Sequence, residues 1–185
     1  LLAGCTRARN PRIPMPAALY GESRNNSRGL EFGLARDRTR LVEDMAKAPR
    51  VVEGAGPLYP GAKARGNERS VLSPVDGATR VGTVREATAD EVPAMFDAGL
   101  KGFARWSRTP VDQRAAAIAR LGDMLEAETP RLMALLAREA GKTLLDAVAE
   151  IREAVDFLRY YAARADGAPP RGVFACISPW NFPLA

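Results

Sequence analysis

The chain has 185 residues, of which 46% are apolar and 26% charged, and its net charge at pH 7 is +5. These values are typical of a soluble globular protein, and no apolar run approaches the roughly 18 residues of a membrane-spanning helix. The sequence contains no histidine, which excludes histidine-based nucleophile triads and most zinc and non-haem iron sites from this segment, and we predict no metal site.

The excess positive charge lies in the N-terminal part of the chain. Residues 1–40 contain eight arginines and three acidic residues, whereas basic and acidic residues balance in 41–185. A basic leader in which Tyr20 and Phe32 are the only aromatic residues is weak evidence for a nucleic-acid interface. Nucleic-acid binding is therefore not indicated, and a solvated linker is the favoured interpretation.

Residues 1–66 are predicted to form a mostly irregular connector. Prolines at positions 11, 14 and 16 favour an extended spacer, and residues 54–66 are rich in glycine and proline. We expect a short helix over residues 37–48, and otherwise only local packing, by Tyr20, Leu30 and Phe32. The opening Leu-Leu-Ala-Gly-Cys is compatible with the lipid-attachment box of a bacterial lipoprotein or with the end of a preceding helix.

Residues 67–185 are predicted to form a truncated domain of the α/β class. Two β-rich runs around the Pro-x-Asp-Gly turn at 74–77 predict a hairpin. Four helices follow, with start signals at Thr88, Thr109, Thr129 and Thr143, and Gly141 is placed to end the third. The charge run at 150–153 predicts a solvated surface. The apolar stripes predict core faces, carried by Val92, Phe96, Gly99 and Phe103, by Ala115, Ile118, Leu121 and Leu125, by Leu132, Met133, Leu136 and Ala140, and by Val148, Ile151, Val155, Leu158 and Tyr161.

An apolar run near the C-terminus, Val173 to Ile177, predicts a strand buried on both faces of a parallel sheet. Cys176 inside this run is then expected to be a packing residue. The residues after the run would lie at the carboxyl end of the strand, where open α/β sheets bind ligands. Pro183 predicts the first turn of a further helix. The Asn181 amide could donate to an oxygen that becomes negative in a transition state, or it could cap that helix.

The segment Gly172-Val173 followed by Pro179-Trp180-Asn181-Phe182-Pro183 resembles the strand-and-loop signature of the NAD(P)-dependent aldehyde dehydrogenases. The Ser-Pro-x-Asp-Gly hairpin turn and the Arg-Glu-x-Gly-Lys stretch at 138–142 are similar to the same family, the latter in a structural role. The resemblance implies the N-terminal portion of a Rossmann-like cofactor domain. In that domain Asn181 would donate to the thiohemiacetal oxyanion, and Ile177, Ser178, Pro179 and Trp180 would line NAD. The sequence has no Gly-x-Gly-x-x-Gly fingerprint, but the family binds its cofactor through later segments.

The stretches 13–16 and 20–30 resemble the connector of bifunctional enzymes of proline catabolism, which joins a flavin-dependent proline dehydrogenase to a glutamate-semialdehyde dehydrogenase. The pair Asn25-Asn26 departs from that pattern. This resemblance implies oxidation of L-glutamate-γ-semialdehyde to glutamate with NAD, in a cytoplasmic bacterial homo-oligomer whose FAD belongs to the absent proline dehydrogenase domain. Because the chain lacks an initiator methionine and stops on an apolar run, we expect a fragment that is inactive alone and lacks the catalytic cysteine and general base.

Two alternatives remain open from the sequence. The chain could come from a stand-alone aldehyde dehydrogenase of another substrate class, with residues 1–60 as an unrelated leader. It could also be a non-catalytic helical interaction domain in which the Pro-Trp-Asn motif is coincidental.

Overall fold

The computed structural model describes residue 10 and residues 12–62 and 66–185; the opening Leu-Leu-Ala-Gly-Cys lies outside them. A 3₁₀ turn at Pro16–Ala18 precedes a mixed set of helices and strands, which confirms the predicted α/β class. In chain order the elements are α1 (Ala35–Ala46), β1 (Val52–Ala55), β2 (Glu68–Leu72), β3 (Arg80–Arg85), α2 (Glu91–Trp106), α3 (Val111–Ala127), α4 (Thr129–Glu139) and α5 (Leu144–Ala163).

The strands form a three-stranded sheet with β3 in the centre, parallel to β1 and antiparallel to β2. The predicted hairpin is confirmed, since β2 and β3 are joined by the turn that contains the Pro-x-Asp-Gly sequence. The parallel strand β1 belongs to the part predicted to be mostly irregular. It can approach β3 because residue 82 is glycine: a Cβ there would lie 2.0 Å from the Val52 carbonyl oxygen. The predicted boundary at residues 66–67 stays a prediction.

The hydrophobic core lies among α1, α4 and α5. Its buried residues are Leu41, Met133, Leu136, Ala147, Ile151 and Val155. Five of these, all but Ala147, belong to the stripes or the short helix predicted from the sequence, because apolar residues at helical spacing form one continuous face. Helix α3 packs on α5 at Gly122, where a Cβ would lie 3.5 Å from the Leu158 Cβ.

Helix α2 begins at Glu91, whose carboxylate accepts a hydrogen bond from the Thr88 amide (2.9 Å). This is one half of the predicted capping box. The prediction that the apolar face of α2 lies in the core is wrong, because Val92 is 42% and Phe96 is 53% exposed. An amphipathic pattern indicates a face that can be buried, and no described helix packs extensively on α2.

Residues 24–28 are more firmly packed than the sequence predicts. Asn26 and Ser27 are buried, and the Asp156 carboxylate of α5 accepts hydrogen bonds from the Ser27 hydroxyl (2.6 Å), the Ser27 amide (3.1 Å) and the Arg24 guanidinium (2.7 Å). The expectation of only local apolar packing was therefore wrong. Polar groups fix this segment, and such contacts leave no periodic pattern in a sequence.

The predicted buried strand over residues 173–177 is not formed. The segment has no strand assignment, and Phe174 and Ile177 are 70% and 95% exposed. A strand buried on both faces needs neighbours along its edges and cover above and below, and β1, β2 and β3 pair only among themselves. Cys176 is consequently exposed rather than packed. The helix predicted to begin at Pro183 stays a prediction, because only residues 184 and 185 follow it in the described structure.

Candidate active site

The sequence-predicted site residues lie together on one exposed loop, residues 177–181. A turn shapes its far end, where the Phe182 amide donates to the Pro179 carbonyl (3.3 Å). Ile177 and Trp180 are 95% and 91% exposed, and Ser178, Pro179 and Asn181 are exposed as well. Within the described ranges, the Asn181 side-chain amide makes no hydrogen bond and caps no helix. Its two donors therefore face solvent.

The backbone of this loop is fastened by one buried ion pair. The Lys142 ammonium donates to the Asn181 carbonyl oxygen (2.6 Å) and lies 3.0 Å from Glu150 Oε2. Glu150 Oε1 in turn accepts hydrogen bonds from the amides of Leu184 (2.7 Å) and Ala185 (3.3 Å). The ammonium also lies 4.8 Å from the centre of the Phe182 ring. The loop is thus bound at residue 181 and again at residues 184 and 185.

Two structural features bring Lys142 and Glu150 under the loop. Gly141 takes a positive φ of 64° at the end of α4, which turns the chain, and Thr143 caps α5 by accepting from the Asp146 amide (3.1 Å). Lys142 is therefore held between two helix ends. Glu150 follows two turns into α5 and is 1% exposed. Its Oε2 makes no hydrogen bond in the described structure, so its charge is balanced by the ammonium alone.

The sequence did not predict the roles of Lys142 and Glu150. Lys142 falls in a stretch interpreted as structural, and the interpretation of residues 150–153 as a solvated run is wrong for Glu150. A usable signal was present: Glu150 stands at helical spacing from Ala147 and Ala154, both of which are buried. Burying a carboxylate within an apolar stripe costs free energy unless a cation pairs with it, so the position of Glu150 predicts a positively charged partner.

The described structure also contains a concave surface away from this loop. It lies between residues 59–61 and α2, has a volume of about 610 Å³ and carries charges of both signs, including Asp97 and Lys101. None of the sequence-predicted site residues lines it. Within residues 12–62 and 66–185, no cluster of three or more His, Cys, Asp or Glu could hold a metal ion. No described helix combines the length and apolar character of a membrane span.

Comparison with known proteins places this loop within a match to one enzyme family. The sequence profile of the aldehyde dehydrogenase family matches residues 62–185, which include Asn181 and its neighbours. This chain belongs to the aldehyde dehydrogenase family. The interpretation of the Pro-Trp-Asn motif as coincidence is therefore wrong.

Individual aldehyde dehydrogenase relatives extend the match across nearly the whole chain. It is 39% identical over 188 residues to the bifunctional protein PutA of Escherichia coli K12, with 98% of this chain and 14% of that protein covered. It is 33% identical over 178 residues to a 1-pyrroline-5-carboxylate dehydrogenase of Bacillus pumilus, covering 84% of this chain and 34% of that enzyme. A crystal structure of proline utilization A superposes with a TM-score of 0.71 at 39% identity, covering 95% of this chain and 17% of that one. The chain thus spans only about a seventh of its PutA relatives.

Proposed function

We propose that this chain is part of an NAD-dependent dehydrogenase that oxidises L-glutamate-γ-semialdehyde to glutamate in proline catabolism. The proposal is supported by similarity to PutA along the connector as well as the dehydrogenase part, and to a 1-pyrroline-5-carboxylate dehydrogenase. The observation that carries it is the exposed amide of Asn181 within Pro-Trp-Asn-Phe-Pro. By the same similarity the protein is a cytoplasmic homo-oligomer, and FAD belongs to a proline dehydrogenase part outside this chain.

Asn181 has a defined role in this chemistry. When a cysteine thiolate forms a C–S bond to the aldehyde carbon, the carbonyl π electrons move to oxygen and leave an alkoxide. An uncharged amide N–H that is already in place stabilises this alkoxide more than it stabilises the neutral aldehyde, and so lowers the barrier. Asn181 suits the task because its own donors have no partner in the described structure. The thiolate and the general base come from segments outside these residues.

The residues before Asn181 fit a nicotinamide cofactor. Ile177 and Trp180 present apolar surface that is 95% and 91% exposed, and such surface favours contact with a flat ring. Ser178 and Pro179 lie between them on the same exposed loop. These four residues would hold the nicotinamide end of NAD, and NAD supplies the hydride acceptor when it is bound. The turn closed by Phe182 N–H and Pro179 O would fix their order around the ring.

The substrate assignment is tested by a panel of aldehydes with the full-length protein and NAD, followed by NADH absorbance. Glutamate-γ-semialdehyde, supplied as pyrroline-5-carboxylate, should give a higher kcat/KM than aliphatic aldehydes of similar length. The reason is that a site built for the charged amino-acid end loses its partners with an apolar analogue. A preference for any other aldehyde would assign the chain to a different substrate class of the family.

The catalytic assignment is tested by two substitutions at Asn181. Asn181→Ala should lower kcat about a hundredfold to a thousandfold, because one donor to the oxyanion is lost. Asn181→Asp should be at least as slow, since a carboxylate repels the forming alkoxide. The affinity for NAD should stay nearly unchanged in both variants. Asn67→Ala, at an exposed asparagine before β2, is the matched control. A fully active Asn181→Asp enzyme would overturn the assignment.

A further inference from the structure

The contacts of Glu150 show what its buried charge is for. Its neighbours along α5, Ala147, Ile151 and Ala154, are buried and apolar, and Glu150 itself is 1% exposed. A carboxylate in such surroundings is unfavourable unless it is paired, and an apolar side chain would serve the packing of α5 better. Every polar contact of Glu150 in the described structure goes to Lys142 or to the amides of residues 184 and 185. The buried charge therefore serves the loop and not the core.

Lys142 connects this buried charge to the candidate catalytic residue. The Lys142 side chain is 17% exposed, and its ammonium contacts both the Glu150 carboxylate and the main-chain carbonyl of Asn181. The backbone is held directly after the Asn181 side chain, at the carbonyl of Asn181 itself and three residues later at the amide of Leu184. The amide of Asn181 itself makes none of these contacts. A backbone fixed in this way limits where the Asn181 amide can point while leaving its donors free for a ligand.

We propose that Lys142 and Glu150 are positioning residues that hold the Asn181 loop in its active geometry. This inference rests on the proposed function, in which Asn181 donates to the oxyanion. Donors act on a transition state only when they are already in place, and a displacement of about 1 Å costs as much as a hundredfold in rate. The pair therefore acts on kcat through the geometry of Asn181, without contacting aldehyde or cofactor.

The first test compares substitutions at Lys142 and Glu150 in the full-length protein. Lys142→Met removes the hydrogen bond to the Asn181 carbonyl, and Lys142→Met combined with Glu150→Gln removes it without leaving a buried unpaired carboxylate. Both should lower kcat about tenfold to a hundredfold and leave KM for NAD nearly unchanged. Lys142→Arg keeps a charged donor and should recover most of the loss. Arg131→Met, which breaks the exposed pair between Arg131 and Glu128 at the N-terminal end of α4, is the matched control and should leave kcat unchanged.

The second test is a double-mutant cycle on kcat with Asn181→Ala, which separates positioning from general loss of stability. If the pair acts through Asn181, Lys142→Met should have little further effect in the Asn181→Ala background. Equal losses in both backgrounds, or a Lys142→Met/Glu150→Gln enzyme with full kcat, would overturn the inference while Asn181→Ala remained slow. A fully active Asn181→Ala enzyme would instead overturn the proposed function, and with it the role of the pair. Melting curves of every variant show whether the folded enzyme is being compared.

Discussion

Two irregular stretches, residues 24–28 and 178–185, are both fastened to carboxylates of α5, but through different groups. The first is held mainly by its side chains: the hydroxyl of Ser27 and the guanidinium of Arg24 donate to Asp156, and the Ser27 amide adds one backbone hydrogen bond. The second is held by its backbone, through the carbonyl of residue 181 and the amides of residues 184 and 185. The two stretches therefore differ in whether their side chains remain available for other contacts.

The exposed fractions follow from this difference. Ser27 and Asn26 are 3% and 9% exposed, so these two side chains of the N-terminal stretch are not available to bind a ligand. Ile177 and Trp180 remain almost fully exposed, because the backbone contacts of their loop make no demand on side chains. An anchor made of side chains is typical of a structural joint. An anchor made of backbone groups fixes a loop and leaves its side chains available for a ligand.

The electrostatics of the N-terminal anchor favour the ionised carboxylate. Partial burial alone would raise the pKa of Asp156, but hydrogen bonds from the Ser27 hydroxyl, the Ser27 amide and Arg24 outweigh it and lower the pKa below its ordinary value. Glu126 of α3 behaves in the same way, since burial would raise its pKa but the hydrogen bonds and charges of Arg159 and Arg28 together outweigh burial and lower it. Both carboxylates therefore stay charged and bonded at neutral pH.

The largest effect is expected from breaking the side-chain anchor. Asp156→Ala should destabilise the packing of residues 24–28 on α5 by about 2–3 kcal/mol, because it removes a charged acceptor and leaves the Arg24 side chain, 12% exposed, without its partner. Trypsin should then cut after Arg28 much earlier in the full-length protein. Native-state hydrogen exchange of α5 measures the same loss as a free energy.

A second carboxylate provides the matched control for this experiment. Asp123 also pairs with an arginine, Arg159, at 2.7 Å, but its side chain is 69% exposed. Asp123→Ala should therefore cost less than about 1 kcal/mol. Equal sensitivity to trypsin in the Asp123 and Asp156 variants would contradict the view that burial, and not charge pairing as such, makes the N-terminal anchor strong.

A smaller effect is expected from a substitution at Gly141, the turn residue that places Lys142 beneath residues 178–185. Gly141→Ala forces a non-glycine residue into a φ of 64° and brings a Cβ to 3.2 Å from Pro74 Cγ. The cost should be about 1–2 kcal/mol, and Lys142 should shift with the turn. The measurements are a melting curve and the hydrogen exchange of the Leu184 amide. Exchange of that amide should speed up, because its acceptor Glu150 loses the neighbouring ammonium.

The control substitution for Gly141→Ala is expected to change stability in the opposite direction. Gly102 lies inside α2, where a new Cβ would meet nothing within 4 Å. Gly102→Ala should stabilise the helix by up to about 1 kcal/mol, because alanine loses less backbone entropy there. If Gly141→Ala were also stabilising, the turn would not depend on a left-handed residue. The placement of Lys142 would then need another explanation.

The same two regions show what the sequence could and could not predict. Helices α3, α4 and α5, the hairpin and the α4-ending turn at Gly141 were predicted because local patterns determine them: apolar spacing, caps and turn residues. The anchors were not predicted, because Ser27 and Asp156 are 129 residues apart in the chain and nothing local links them. Asn181 was found through a family motif, whereas the pair that holds its loop was not.

The failure at residues 173–177 has a different physical cause. Five apolar residues in a row indicate a segment that can be buried, but burial depends on what surrounds it. In the described structure no strand pairs with this segment, so it remains irregular and Cys176 is exposed. The same reasoning applies to the uncovered face of α2. Patterns predict which surface could pack, and tertiary neighbours decide whether it does.

The carboxylate of Asp76 sharpens the comparison, because all of its hydrogen-bond donors are close to it in the sequence. Asp76, in the turn between β2 and β3, accepts hydrogen bonds from the Thr79 hydroxyl, the Ala78 amide (2.9 Å) and the Thr79 amide (2.8 Å). These bonds, of which that from the Thr79 hydroxyl has the largest effect, lower the pKa of Asp76 from 3.8 to about 2. The turn also carries Pro74, which faces Gly141.

The smallest effect is therefore expected from protonating Asp76. Its pKa is lowered in the folded chain, so the carboxylate contributes stability above the unfolded value of 3.8 and loses it as pH falls towards about 2. An NMR titration of the Asp76 carboxyl carbon should give a midpoint near 2, and Asp76→Asn should remove the pH dependence of the turn in this window. The effect should stay confined to residues 73–79, because the acceptor and its donors all lie within four residues. A simultaneous loosening of residues 24–28 with the same midpoint would show that the anchors are coupled and are not independent.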